Sequence, residues 1–249
     1  MAEKSGIGWT HHTVNPWWGC EKVGEVCRHC YIEGIMKRAG IKHPFEGPRR
    51  TKTWKMPLLW NRKAEMDSVR RRVFTCSMSD FFHTEADPWR PDIWQLVRQC
   101  EALDWLILTK QSERITECLP GDWGETGYPN VWLGVTCGHS RSYHRVADLL
   151  QIPATIKFIS AEPLLGRLDF RHYLPGIDWV ITGCEQAAKG TRRPMELEWV
   201  RDIYQQCLET GTAHYFKQYY AKERGIPRTD GVLDDKVCQR FPRQLVQEV

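Results

Sequence analysis

The residues best suited to chemistry are Cys20, Cys27 and Cys30, spaced C-x6-C-x2-C and framed by Gly19 and Tyr31. Thiolate is the ligand that iron–sulfur clusters use. Three thiolates can hold three irons of a cubane [4Fe–4S] cluster and leave the fourth iron without a protein ligand. An open position of that kind separates a catalytic metal site from a closed structural one. The same cysteines also suit a structural zinc, in which Cys27-x2-Cys30 is half of a knuckle, Cys20 the third ligand and a histidine the fourth. His29 lies between Cys27 and Cys30 and points away if they point inward, so the zinc reading falls to His11 or His12. Spacing alone leaves open a cluster, a zinc and unliganded thiols.

Such a loop needs a scaffold. The chain alternates short apolar runs with helical patterns after residue 70. Strands are expected near 9–13, 73–76, 105–108, 131–135, 156–159, 179–181 and 214–216, and helices near 87–103, 112–118, 141–150 and 197–208. Continuous apolar strands separated by helices indicate a parallel sheet covered by helices. The fold class is α/β, a partial or full (β/α) barrel in one domain spanning 1–249, with a basic insertion at about 37–72. An open doubly wound sheet is the alternative, but neither G-x-G-x-x-G nor a Walker A motif occurs.

In a β/α barrel the chemistry sits where strands end. Here the ends carry Ser77, Ser79 and Asp80, then Thr109 and Lys110, Thr136 and Cys137, Ser160 and Glu162, Cys184 and Glu185, and Lys217 and Gln218. One polar strand end is an ordinary loop or helix cap. Six of them beside a three-cysteine loop point to a shared site. Cys137 and Cys184 read as small buried thiols or as hydrogen donors.

The 249 residues suffice for one full core. No apolar run reaches the roughly 20 residues of a membrane span, and the N-terminus shows no secretory signal. Ten cysteines in such a chain argue for a reducing cytoplasm and metal use rather than a disulfide scaffold. The net charge is only +4, but residues 37–72 hold twelve Lys/Arg against three Asp/Glu. Arg49, Arg50, Lys52, Lys55, Arg62 and Lys63, interleaved with Trp54 and Trp60, suit a phosphate backbone and stacked bases. Without catalysis, the cysteines and this run together describe a zinc-stabilised nucleic-acid-binding protein.

Several blocks carry a family resemblance: WTHHTVNPWWGC (9–20), CRHCY (27–31), FTCSMSDFFH (74–83), LILTKQSERI (106–115), PNVWLGVT (129–136), FISAEPLLG (158–166), DWVITGCE (178–185), RRPMELEWVR (192–201) and YFKQY (215–219). With a three-cysteine loop after the first strand, the chain resembles the phage-associated radical-SAM-like family of the radical S-adenosylmethionine (SAM) enzymes. It differs in spacing, since most such enzymes use C-x3-C-x2-C with an aromatic before the third cysteine, where this chain has His29. The resemblance implies a [4Fe–4S] cluster on Cys20, Cys27 and Cys30, with SAM contacts at Ser77, Ser79, Asp80, Lys110, Ser160 and Glu162. It further implies DNA or a modified nucleotide as substrate, and a reductant such as flavodoxin or ferredoxin. The place of work would be the cytoplasm, that of a host cell if the protein is viral. The specific reaction it suggests is isomerisation of N-glycinyl to C-glycinyl thymidine during hypermodification of phage DNA.

Overall fold

A computed structural model describes residues 3–187, 190–220 and 227–242. Seven strands form one sheet: β1 (His12–Val14), β2 (Arg71–Thr75), β3 (Leu103–Thr109), β4 (Val131–Thr136), β5 (Ile156–Ala161), β6 (Trp179–Gly183) and β7 (Ala213–Gln218). Their spatial order is their chain order, and every neighbouring pair is parallel. A doubly wound sheet reverses its strand order at a switch point, and this one never does. The sheet curls into an open half barrel with β1 and β7 at its edges. The half barrel is the partial form of the expected fold.

Period-two alternation sorts the strand side chains between two apolar layers. Val73, Trp105, Ile107, Leu133, Val135, Ile159, Val180 and Phe216 face the outer core, where the helices pack. Phe74, Leu106, Trp132, Phe158, Trp179, Ile181 and Tyr215 face the concave interior, which Trp9 joins from the segment before β1. Gly134 belongs to the inner face, where a Cβ would come within 2.4 Å of the Phe158 ring. Only glycine lets that ring lie across β4.

The helices are α1 (Ile32–Arg38), α2 (Pro57–Met66), α3 (Arg90–Gln99), α4 (Ile115–Cys118), α5 (Tyr143–Leu150) and α6 (Leu197–Thr210). Proline in the first turn of α2 and of α3 costs no hydrogen bond. Gly211 ends α6 with a left-handed φ of 76°. α1 and α2 were not expected from sequence, nor was the two-residue antiparallel pair joining Trp17–Trp18 to Arg49–Arg50. No described helix is long and apolar enough to cross a membrane.

Candidate functional site

Because all seven strands run the same way, their C-terminal ends share one rim. A cavity of about 590 Å³ opens there and follows the concave face down to Trp9 and Phe74. Its walls include Cys20, Cys27 and Cys30, together with Ser77, Ser79, Asp80, Lys110, Ser160 and Glu162. Nine residues from four separate stretches of sequence thus face one space, of a size that suits a nucleotide-sized ligand.

The cysteine loop leaves β1 through Asn15. That side chain accepts from the Met78 backbone N–H at 2.8 Å and donates to Ser77 Oγ at 3.0 Å, tying the ends of β1 and β2 together. Gly19 has φ 111°, and a Cβ on it would meet the Gly47 carbonyl at 2.1 Å. The residue before Cys20 is glycine because segment 44–48 crosses there, and Cys20 N–H donates to the Pro44 carbonyl at 3.0 Å. Glu25–Cys27 forms a 3-10 turn. Tyr31 closes the loop by donating its hydroxyl to the Ser77 carbonyl at 2.9 Å.

A second grip lies on the far side of the loop. Glu185, at the end of β6, is buried and receives both the backbone N–H (2.9 Å) and the guanidinium of Arg193. Arg193 also reaches the Glu25 carboxylate at 2.8 Å and the Glu25 carbonyl at 3.1 Å. His29 Nδ1 lies 3.2 Å from Glu185 Oε2, so both ends of the Glu25–His29 turn are anchored. Glu185 was visible as a polar strand end. Asn15, Glu25 and Arg193 were not singled out. Asn15-Pro16 directly after the first strand was the available signal for the first, and nothing local marks the other two.

Electrostatics link the cysteines to one cation. Burial works against the Lys110 ammonium, but Cys27, Cys30, Asp80 and Cys20 outweigh it and hold its pKa above the ordinary lysine value. Burial, then Asp80, pushes the Cys20 thiol up to about 12, with Lys110 opposing. Burial likewise raises Cys30, again against Lys110. Such thiols need a cation to hold them as thiolates, and a metal centre supplies one. Among the described residues no three His, Cys, Asp or Glu side chains are gathered tightly enough to chelate a single ion. The three cysteines thus face one cavity without forming a single-ion chelate. A cubane spreads its thiolates over separate irons, and three cysteines facing one cavity fit that demand in donor type and number.

Other candidates sort differently. Asp80 faces the cavity with a carboxylate already engaged. It accepts from Thr109 Oγ1 at 2.6 Å, the Phe82 N–H at 3.0 Å and the Lys110 N–H at 2.8 Å. Ser79 Oγ donates to the Gly19 carbonyl. Glu162 Oε1 accepts from Lys217 Nζ at 2.5 Å and Gln218 Nε2 at 3.2 Å. Cys184 and Cys76 also line the cavity, whereas Cys137 lies in the outer core. The histidines of the zinc reading are elsewhere. His11 accepts from the Arg72 N–H at 2.8 Å, and His12 stacks on Trp60 with centroids 4.6 Å apart, at the opposite end of β1 from the cysteines.

The basic segment is not one patch. Trp60 is 1% exposed, so it has no free face for a base, which corrects its assignment as a stacking residue. Lys63 pairs with Glu3. Arg70 precedes β2 and Arg71 and Arg72 begin it, at the end away from the rim, where Arg70 meets Asp104 at 2.6 Å and Arg72 covers the Phe241 ring at 4.0 Å. Arg49, Arg50, Lys52, Lys55 and Arg62 are exposed. Arg50 pairs with Asp92 at 2.5 Å, and Arg50 and Lys55 lie 4.6 and 5.1 Å from the Trp54 ring. Trp54 is half-buried against the outer core.

The fold and the rim together define an open α/β half barrel with a cysteine loop after its first strand. The chain belongs to the family described as "Protein of unknown function (DUF5131)", whose model matches residues 4–242. No curated protein matches it. Among solved structures it is similar to spore photoproduct lyase complexed with dinucleoside spore photoproduct. The two share 13% identity at a TM-score of 0.53, covering 90% of this chain and 69% of that one. It is also similar to a variant of that lyase with bound AdoMet and dinucleoside spore photoproduct. There the identity is 12% and the TM-score 0.51, over 88% of this chain and 68% of the other. At such identities the likeness is one of fold.

Proposed function

We propose that this protein is a radical SAM enzyme acting on a nucleic-acid-linked substrate. The observation that carries the reading is the shared cavity, in which the three cysteines of the loop face Lys110, Ser160 and Glu162 inside a half barrel of the radical SAM type. Cys20, Cys27 and Cys30 would hold a [4Fe–4S] cluster. When bound, that cluster supplies the electron that cleaves SAM to methionine and a 5′-deoxyadenosyl radical. Lys110 offers a cation to the SAM carboxylate from within the rim. Ser77 and Ser160 offer hydroxyls, and Glu162 a carboxylate suited to ribose hydroxyls. Asp80 acts through Lys110, whose backbone it holds. The apolar side chains of Trp9, Phe74 and Leu108 line the cavity and would limit water around the radical.

The exposed cations Arg49, Lys52, Lys55 and Arg62 favour a polyanionic substrate, as does the dinucleoside ligand of the structural neighbours. Within that class, the finer proposal is the redox-neutral isomerisation of N-glycinyl to C-glycinyl thymidine in phage DNA. It treats 1–249 as one domain with the 37–72 segment as its basic insertion, and it takes electrons from a small flavodoxin- or ferredoxin-type reductant.

The test is anaerobic reconstitution with iron and sulfide, then SAM and dithionite. Broad absorption near about 400 nm and release of 5′-deoxyadenosine are expected, and Cys20→Ala, Cys27→Ala or Cys30→Ala should abolish both while the fold persists. Purified protein that holds zinc and yields no 5′-deoxyadenosine overturns the reading. Conversion of DNA bearing N-glycinyl thymidine, read by nucleoside mass spectrometry with deuterium exchange, tests the finer step.

A further inference from the structure

Two arginines are buried among the described residues, Arg90 and Arg145, each 4% exposed. Arg90 has a carboxylate partner, Asp87, at 2.6 Å. Arg145, on α5, has only backbone carbonyls as hydrogen-bond partners among the described residues. One guanidinium nitrogen donates to the Thr136 carbonyl at the end of β4, at 3.1 Å, and another to the Val23 carbonyl at 3.4 Å. Its Nε is buried without a hydrogen-bond partner among the described residues. Gly24 sits against the same guanidinium, where even a Cβ would lie 3.4 Å from it. A full positive charge is therefore held out of water with no carboxylate beside it among the described residues. It touches Val23 and Gly24, between Cys20 and Cys27.

An uncompensated buried charge is among the most costly features a fold can retain. It becomes favourable when a negative charge is placed nearby in the same low-dielectric surroundings. Resting on the reading of the site given above, we infer that Arg145 is a positioning residue that seats the cysteine loop and offsets the negative charge of the loaded cluster. Three thiolates outweigh the positive charge of an oxidised cubane core, and reduction adds one more negative charge. A fixed cation beside the loop therefore favours the reduced form and raises the reduction potential, the effect that charge and burial have on such clusters. Arg193 grips the same loop differently, because Glu185 and Glu25 already neutralise it. It holds the loop without adding net charge.

The experiment compares the reconstituted full-length wild-type protein with Arg145→Lys and Arg145→Gln. Iron and sulfide per chain are measured first, then the midpoint potential by dye-mediated titration followed by electron paramagnetic resonance. Gln keeps a hydrogen bond to one carbonyl without the charge, and Lys keeps the charge with a poorer fit. Arg145→Gln should shift the reduction equilibrium at least tenfold toward the oxidised form, about 59 mV for one electron. Arg145→Lys should stay close to wild type. Equal potentials in all three proteins overturn the inference while leaving the cluster reading intact, and so does an equal shift in Lys and Gln. Wild-type protein that takes up no iron–sulfur cluster overturns both.

Discussion

Asp80 separates two roles that the sequence alone merges. Its carboxylate satisfies the Thr109 hydroxyl and the backbone N–H groups of Phe82 and Lys110, all inside the rim. Each buried donor left without its acceptor costs roughly 1–3 kcal/mol. Asp80→Ala should therefore lower stability by roughly 2–4 kcal/mol, read as a drop in the urea midpoint, and release the Lys110 backbone. Lys110→Met should leave the urea midpoint nearly unchanged and weaken SAM binding in calorimetry. An unaltered midpoint in Asp80→Ala would show that the carboxylate is not needed to hold the rim. Trp60 belongs with Asp80 as a structural residue. Stacked on His12 and enclosed by the outer core, it should cost roughly 3–5 kcal/mol on replacement by alanine. Residue type and position after a strand made the rim legible. The partner of each side chain was not legible, because Thr109 and Asp80 are 29 positions apart and only the fold joins them.

At the level of elements, the strands were the most readable part. β3, β4 and β5 are near-continuous apolar runs, the mark of strands buried on both faces. α2 hid among charges, since Trp60, Asn61 and Ala64 are buried while Arg62 and Lys63 between them are exposed. The β6–β7 pair carries a pH response of its own. His214 Nε2 on β7 lies 3.0 Å from Thr182 Oγ1 on β6, its Nδ1 has no partner among the described residues, and burial holds the imidazole down to about 3 from an ordinary 6.5. Above about pH 6.5 the ring is neutral in both the folded and unfolded chain, and its contribution is fully present. As the pH falls from 6.5 toward 3, the unfolded chain takes a proton that the fold refuses. Stability should then fall by about 1.4 kcal/mol per pH unit from this group. Denaturation midpoints measured from pH 7 to about 4.5 should show that slope, and His214→Gln should flatten it. A slope identical in the variant would assign the acid sensitivity elsewhere.

Across the whole molecule, the half barrel divides the positive charge between its two ends. The sequence presents residues 37–72 as one basic run, but α2 carries the chain from the rim side back to the start of β2. Arg49, Lys52, Lys55 and Arg62 stay exposed. Arg70 and Arg71 are tied to Asp104 and Asp67, and Arg72 to the Trp9 carbonyl. The segment at 49–51 is joined to the rim by Thr51, which donates its backbone N–H to the Pro16 carbonyl at 2.8 Å and its hydroxyl to the Asn15 carbonyl at 2.8 Å. If a nucleic acid approaches the cavity, it meets this segment and not the arginines of β2. Combined charge reversal at Arg49, Lys52 and Arg62 should therefore cut duplex DNA affinity steeply and flatten its salt dependence by about 0.9 for each phosphate no longer neutralised. Reversal of Arg71, at the end of β2 away from the rim, should leave the salt slope unchanged, and Trp54→Ala should cost about 1–3 kcal/mol of binding if the indole stacks on a base. Fluorescence anisotropy across a salt series distinguishes the cases. An affinity indifferent to salt, or equal losses from both ends, would place the phosphate-binding cations elsewhere and favour a free nucleotide entering the cavity alone.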